Sequence, residues 1–292
     1  MSDGSKSSTD NVPKTLDDLN AMRRAGKPIA MLTCYDFPTA RLLAQAGVHI
    51  LLVGDSAAMT VLGHDSTATA TLDYMCLITQ AVRRGAPGRF VLADMPAGSY
   101  KTPDQAIAAA GRLRAAGADA VKLEVDRSQL HIIESLAGAG FVPCAHLGLL
   151  PQRVAAQGGY RAHGRTQTEA VEIIETAVAM RRAGAAMLLL EAVPDAVSQA
   201  VISQVDCVVL GCGAGKSCHG HVLVWHDLLG FTAKPAKFVE TFADVPTLML
   251  QAAKRYVAAV MQRQYPAAKH EYSMKEPLPE SWPQLIEHKP KG

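Results

Sequence analysis

The sequence predicts a single closed (β/α)8 barrel of the α/β class, and three observations support this fold. Short apolar, β-branched runs alternate with longer segments of helical periodicity along the 292 residues. The short runs are apolar throughout, as strands are when helices cover the outside of a parallel sheet. Seven such strand–helix units follow one another, which favours a closed eightfold barrel over an open sheet.

The elements can be assigned in order along the chain. Strands are predicted at residues 29–33, 50–54, 89–94, 120–124, 142–146, 187–191 and 207–211. Helices are predicted at residues 38–47, 72–85, 103–117, 129–140, 167–184, 195–205 and 219–229. The eighth unit has the least regular pattern, and we place its strand near residues 236–239 and its helix at 246–263.

The barrel domain is predicted to span residues 15–270, between a disordered N-terminal tail at 1–14 and a C-terminal tail at 271–292. The first tail is rich in Ser and Asp and lacks the apolar stretch of a secretory signal. The chain has six cysteines but no CxxC pair, which indicates free thiols in a reducing cytoplasm.

Composition excludes two classes of partner. The net charge is only +2 and both signs are interspersed, so neither nucleic acid nor an anionic membrane is expected to bind. The longest apolar runs are far shorter than the roughly 20 residues that a membrane-spanning helix needs. We therefore expect an enzyme of small molecules and no membrane segment.

Polar side chains end at least five of the apolar strands. In a barrel, the carboxyl ends of the strands carry the functional groups. One strand-end carboxylate is more often a helix cap or a loop residue, but several around one rim indicate a site. The candidates are Asp55, Ser56, Asp94, Lys122, Glu124, His146 and Glu191.

Three of the candidates, Asp55, Asp94 and Glu124, are carboxylates without a close Cys or His, and this set favours Mg²⁺ over Zn²⁺. A 2-oxo acid can chelate such a cation through its carboxylate and keto oxygens. The cation would then stabilise the enolate formed when the neighbouring C–H is lost.

Lys122 and Glu191 complete the predicted chemistry. Lys122 shares a strand face with Glu124, so it either neutralises the substrate carboxylate or pairs with Glu124. Glu191 ends an apolar strand outside the metal set and is the candidate general base. The alternative for Glu191 is a salt-bridged residue of the rim.

These residues lie in stretches that resemble the ketopantoate hydroxymethyltransferase family. The resemblance runs in unbroken order from about residue 15 to 270. The matching stretches are TCYD (33–36), VGDSAAM (53–59), GHDST (63–67), AVRRGAP (81–87), LADMP (92–96), VKLE (121–124), HLGLLPQ (146–152), GGYRAHGRT (158–166), LLLEAVP (188–194), GAG (213–215) and VLVWHDLLG (222–230).

The resemblance implies an activity and an assembly. The family transfers a hydroxymethyl group from 5,10-methylenetetrahydrofolate to 3-methyl-2-oxobutanoate with Mg²⁺, which gives 2-dehydropantoate for pantothenate biosynthesis. Its members are (β/α)8 barrels of the phosphoenolpyruvate mutase/isocitrate lyase-like superfamily, and they form homodecamers in the bacterial cytoplasm. We therefore expect Mg²⁺ as cofactor, the 2-oxo acid and the folate as substrates, and a homo-oligomer.

The resemblance also implies a role for each candidate. Asp55, Asp94 and Glu124 are expected to form the metal site, with Glu124 acting through water. Asp55, Ser56, Asp94 and Lys122 are expected to hold the 2-oxo acid, His146 to lie beside its carboxylate, and Glu191 to accept the proton.

Alternatives remain because the chain departs from the family pattern. Ala57 and Ala58 replace Leu-Gly, and smaller residues stand at Ala68 and Ala97 in the rim loops. A widened pocket would suit a paralogue with the same chemistry on another 2-oxo acid. A Mg²⁺-dependent lyase or mutase of the same superfamily is disfavoured because the chain lacks a KKCGH-like stretch. A degenerate binding or assembly protein is disfavoured by the intact carboxylates.

Overall fold

Eight parallel strands close into a barrel in chain order, with β8 pairing back to β1. The structure is a computed structural model, and it describes residues 12–282. The strands are β1 Ile29–Thr33, β2 Ile50–Val53, β3 Phe90–Asp94, β4 Ala120–Leu123, β5 Pro143–Gly148, β6 Met187–Glu191, β7 Val208–Cys212 and β8 Gly220–Leu223. The predicted barrel and its first seven strands are confirmed.

The helices begin where the sequence offers N-caps. Thr71, Thr102 and Thr166 each accept a hydrogen bond from a backbone N–H of the first turn that follows. The helices are α1 Leu16–Arg24, α2 Phe37–Gln45, α3 Ala57–Thr60, α4 Leu72–Gly85, α5 Pro103–Ala115, α6 Leu130–Gly138, α7 Gln167–Arg182, α8 Asp195–Gln204, α9 Trp225–Leu228 and α10 Val245–Met261.

The eighth unit differs from the prediction. Residues 236–239 are not a strand, and the helix predicted at 219–229 is wrong over its first half, where β8 lies. The short α9 follows β8 directly, and α10 comes later in the chain. Strand β8 forms because it hydrogen-bonds to both of its neighbours, with Gly220 opposite Ile29 of β1 and Leu210 of β7.

Alternate residues of the strands fill the inside of the barrel. Phe90 and Leu92 of β3 belong to this interior cluster, whereas Val91 faces the helices. Helix α1, which the sequence analysis did not predict, adds the fully buried Leu19 to the interior at the end where the strands begin. A capping box between Thr15 and Asp18 fixes the start of this helix.

The chain divides into two compact units, one ending at Ala243 and one beginning at Asp244. The second unit contains α10, as predicted, and a short 3-10 turn at Ala268–His270. The predicted domain limits of 15–270 and the two tails stay predictions, and residues 1–11 and 283–292 lie outside the described residues. Within residues 12–282, no helix combines the length and hydropathy needed to cross a bilayer.

Candidate active site

The carboxyl ends of the strands surround a cavity of about 1020 Å³. Six of the seven predicted site residues line it: Asp55, Ser56, Asp94, Lys122, His146 and Glu191. The seventh, Glu124, is 0% exposed and lies next to His146. The structure thus brings together all of the residues that sequence reasoning selected.

The strand period explains why these side chains converge. Asp94 comes two residues after Leu92 on the inward face of β3, and Lys122 comes two residues after Ala120 on β4. The register pairs Asp94 directly with Lys122. The faces that build the interior core at one end of the barrel therefore present polar groups at the other end.

Asp55 and Asp94 form a close pair. The backbone N–H of Asp55 donates to Oδ2 of Asp94 at 3.0 Å, and both side chains are buried. Burial, followed by the negative charge of Asp94, raises the pKa of Asp55 well above its usual value. A cation between the two carboxyls would relieve both effects.

Lys122 lies between an acid and a base. Its Nζ is 3.2 Å from Oδ1 of Asp94 and 3.3 Å from Nδ1 of His146. Burial opposes the charge of the ammonium, but the attraction of Asp94 and the other carboxylates outweighs it and raises the pKa of Lys122. Lys122 is therefore a charged group in the cavity wall, paired with Asp94 and not with Glu124.

His146 connects two acids. Its Nδ1 is 3.4 Å from Oε1 of Glu124, and its Nε2 is 3.2 Å from Oε2 of Glu191. Burial and the charge of Lys122 lower the pKa of His146, but the two neighbouring glutamates outweigh them and raise it. With its proton on Nε2, the ring can accept from the Lys122 ammonium at Nδ1. Nε2 lies near Glu191 but makes no hydrogen bond in this arrangement.

The position of Glu191 depends on a glycine in the neighbouring strand. Gly148 has a φ of 88°, and a Cβ on it would lie 2.2 Å from the carbonyl oxygen of Glu191. Ala192, which follows Glu191, also has a positive φ, of 51°. The backbones of β5 and β6 thus approach closely where Glu191, 16% exposed at its side chain, turns into the cavity.

Gln152 is a site residue to which sequence reasoning assigned no role. Its Nε2 donates to Oδ2 of Asp55 at 2.7 Å and to the carbonyl of Met95 at 3.0 Å, and its backbone N–H donates to Oε2 of Glu124 at 3.0 Å. The hydroxyl of Tyr100 donates to Oε1 of Gln152. Gln152 lies in a short 3-10 helix at Pro151–Arg153 and Tyr100 in a turn, so strand periodicity gave no signal for either of them.

The donor set fits a hard cation held by few protein ligands. Among residues 12–282, no group of three or more His, Cys, Asp or Glu side chains is arranged to hold a metal ion. Yet Oδ1 of Asp94 and Oε1 of Glu124 are buried and accept no hydrogen bond. Mg²⁺ commonly uses one or two carboxylates and several waters, which these oxygens can accommodate.

The alanines that depart from the family pattern do not line the cavity. Ala57 and Ala58 are fully buried in the core, and Ala68 is exposed in its loop. The cavity wall in this region is formed by Ser56, Met59 and other neighbours. The hypothesis of a widened pocket therefore gains no support from these positions.

Comparison with known proteins shows similarity over nearly the whole chain. Residues 13–268 match the family model described as ketopantoate hydroxymethyltransferase. A 3-methyl-2-oxobutanoate hydroxymethyltransferase of Geobacillus kaustophilus (strain HTA426) is 43% identical over 92% of this chain and 96% of its own length. The protein of the same name from Azoarcus sp. (strain BH72) is 44% identical over 90% and 98%.

Solved structures share the fold at much lower identity. A phosphonopyruvate hydrolase complex with oxalate and Mg²⁺ has a TM-score of 0.58 at 15% identity, over 94% of this chain and 96% of that one. 2,3-Dimethylmalate lyase, a PEP mutase/isocitrate lyase superfamily member, has a TM-score of 0.55 at 19% identity, over 92% and 94%. These likenesses show the fold alone, and they agree with the predicted (β/α)8 barrel.

Proposed function

The chain belongs to the ketopantoate hydroxymethyltransferase family, and we propose that it transfers a hydroxymethyl group from 5,10-methylenetetrahydrofolate to 3-methyl-2-oxobutanoate, giving 2-dehydropantoate for pantothenate biosynthesis. One observation carries the proposal within the cavity. Glu191 shares a wall with Lys122, which is charged, and with the buried acids Asp55 and Asp94. A carboxylate that can act as a base and a cationic anchor for a 2-oxo acid would then lie in the same cavity, which supports the proposal.

The 2-oxo acid is held by residues at the inner end of the cavity. Lys122 neutralises its carboxylate, and Ser56, whose Oγ lies 2.9 Å from the Tyr35 hydroxyl, contributes a further hydrogen bond. Asp55 and Asp94 hold Mg²⁺, with Glu124 acting through water. When bound, this ion supplies a Lewis acid that polarises the keto oxygen and stabilises the enolate.

Glu191 removes the proton from the carbon next to the keto group. His146 orients the acceptor oxygen of Glu191 across 3.2 Å and connects it to the inner carboxylates. Water hydrolyses the two C–N bonds of the folate methylene group, which releases tetrahydrofolate and leaves the carbon at the oxidation level of formaldehyde. The deprotonated C3 then attacks this carbonyl carbon, and the oxygen that came from water takes up a proton and becomes the hydroxyl.

The deciding experiment combines transfer with proton exchange. Wild-type protein with Mg²⁺ and both substrates should form the hydroxymethylated acid. In D₂O controls it should exchange the C3 proton of 3-methyl-2-oxobutanoate for deuterium. Glu191→Gln should lose about 10²-fold or more of the exchange rate, the usual contribution of a general base. Asp94→Ala should lose Mg²⁺ dependence, and Glu172→Gln on the exposed face of α7 serves as the control.

Full exchange by Glu191→Gln would refute the assignment of the base. Wild-type protein that acts only on other 2-oxo acids would instead support a paralogue with the same chemistry. The proposal also includes the homodecamer and the cytoplasmic location that the resemblance implies, and light scattering on the purified protein tests the first.

A further inference from the structure

The cavity is larger than the 2-oxo acid requires. Its volume of about 1020 Å³ lies at the upper end of the roughly 300–1,000 Å³ that drug-sized ligands occupy. In the proposed function, the small branched acid would occupy only the inner part, beside Lys122 and Glu191. The outer part is lined by residues of the segment 231–238, which follows α9, and by residues 160–162.

The outer part carries several basic side chains together with one acid, Asp227 of α9, which also lines the cavity. Lys234 and Lys237 are exposed in the cavity wall, and neither forms an ion pair within residues 12–282. Arg161 also lines the wall, but its Nη1 lies 3.3 Å from Glu169. Two ammonium groups with no partner at a cavity mouth create a local field that attracts anions.

The segment that carries these lysines is fixed to the barrel. The backbone N–H of Phe231 donates to the carbonyl of His226 at 3.0 Å, and the two rings are 5.3 Å apart. At the other end, Phe238 packs on Gly213, where an added Cβ would lie 2.3 Å from Cδ1 of the ring. The close approach requires a glycine at position 213, and it holds Lys237 at the mouth.

Aromatic surface accompanies the charge. Phe231 and Phe238 are 42% and 37% exposed, and Tyr160 on the facing loop is 61% exposed. All three line the cavity. Exposed aromatic rings beside cations suit a ligand that combines a flat ring with carboxylates.

From these features we propose that Lys234 and Lys237 bind the carboxylates of the glutamate tail of the folate cosubstrate. The inference rests on the proposed function, because the reactive methylene group must reach the carbon that Glu191 deprotonates. With the pterin held inside, the tail points outward past the aromatic rings. The carboxylates at its end then meet the two unpaired ammonium groups.

Equilibrium binding measurements distinguish the contribution of the glutamate tail to the affinity from that of the pterin. Tetrahydrofolate and the tail-less 6-methyltetrahydropterin are titrated, without the 2-oxo acid, into wild-type protein and into the double variant Lys234→Gln/Lys237→Gln. Wild type should prefer tetrahydrofolate. The double variant should lose about tenfold of that preference, since each exposed ion pair contributes up to about fivefold, and its affinity for the pterin should not change.

The experiment includes a control variant, and three results would contradict the proposal. Lys27→Gln, an exposed lysine just before β1, should keep the wild-type preference. A double variant that keeps the preference, a double variant that loses affinity for both ligands, or a wild type without a preference would each overturn the proposal. The proposed function is judged separately, because wild-type protein that forms no hydroxymethylated acid refutes that function whatever the lysine variants bind.

Discussion

Nε2 of His146 lies 3.2 Å from a carboxylate oxygen of Glu191, while Nδ1 on the other side of the same ring lies 3.3 Å from Nζ of Lys122. The ring thus joins the group proposed as base to the group proposed to hold the substrate carboxylate. A neutral imidazole can serve both only as the Nε2–H tautomer. His146 therefore has a geometric role that neither neighbour can replace.

Replacing His146 tests this role. His146→Ala should slow exchange of the C3 proton by about tenfold or more, a part of the 10²–10⁴ that a general base contributes, because Glu191 loses its orienting partner. The measurement is deuterium incorporation followed by NMR at saturating 2-oxo acid. If the exchange rate were unchanged in a folded variant, the orienting contact would have no function.

Gln152 should control the affinity for Mg²⁺. Its amide donates to Asp55 and its backbone N–H to Glu124, and loss of such supporting contacts commonly lowers metal affinity by about 10–100-fold. Gln152→Ala should show this loss in calorimetric titration with Mg²⁺. Gln199→Ala on α8 is the matched control, and equal affinity in the two variants would count against the network.

Gly148 and Gly158 form a matched pair for backbone strain. Both have positive φ values, of 88° and 79°, but a Cβ at 148 meets the carbonyl of Glu191 whereas a Cβ at 158 meets nothing within 4 Å. Gly158→Ala should cost only the strain of its φ, on the order of 1 kcal/mol.

Gly148→Ala should be destabilised further and should also lose proton exchange. Thermal unfolding and C3 exchange of the two variants give the comparison. Equal losses in both variants would mean that the contact with Glu191 has no influence on the site.

Leu19 should contribute strongly to stability although it lies outside the strands. It is fully buried in the cluster inside the barrel, and Leu→Ala at such sites costs about 2–5 kcal/mol of the free energy of unfolding. Denaturant unfolding of Leu19→Ala should show this loss. Leu77→Ala, at a side chain 62% exposed on α4, should change little, and equal effects would contradict the packing role of α1.

The sequence predicted seven strands because each is a local apolar run between capped helices. The eighth could not be found in the same way. Residues 220–223 include an exposed His221. Their strand is defined by pairing with β1, in which Gly220 lies opposite Ile29, far earlier in the chain. The sequence analysis did not predict helix α1, although Thr15 and Asp18 carry a capping signal. The reason is that the segment before it has the composition of a polar tail.

Strand periodicity allowed the strand-end residues of the site to be predicted. Asp94, Lys122 and Glu191 end inward-facing rows of apolar residues, and their convergence follows from the closed barrel. Gln152, in a short 3-10 helix, and Tyr100, in a turn, lie outside the strands, so the strand period does not predict where their side chains point. The sequence also left open whether Lys122 pairs with Glu124. The strand register decides this, because it places Lys122 opposite Asp94.

The alternating rows of the strands have a consequence for how such a protein can change. A slip of one residue in β3 would turn Asp94 outward together with Phe90 and Leu92, so chemistry and folding would fail in the same step. Selection on stability therefore also preserves the register that turns Asp94 into the cavity. New specificity has to be acquired in segments such as 231–238, which can vary while the register of the strands stays intact.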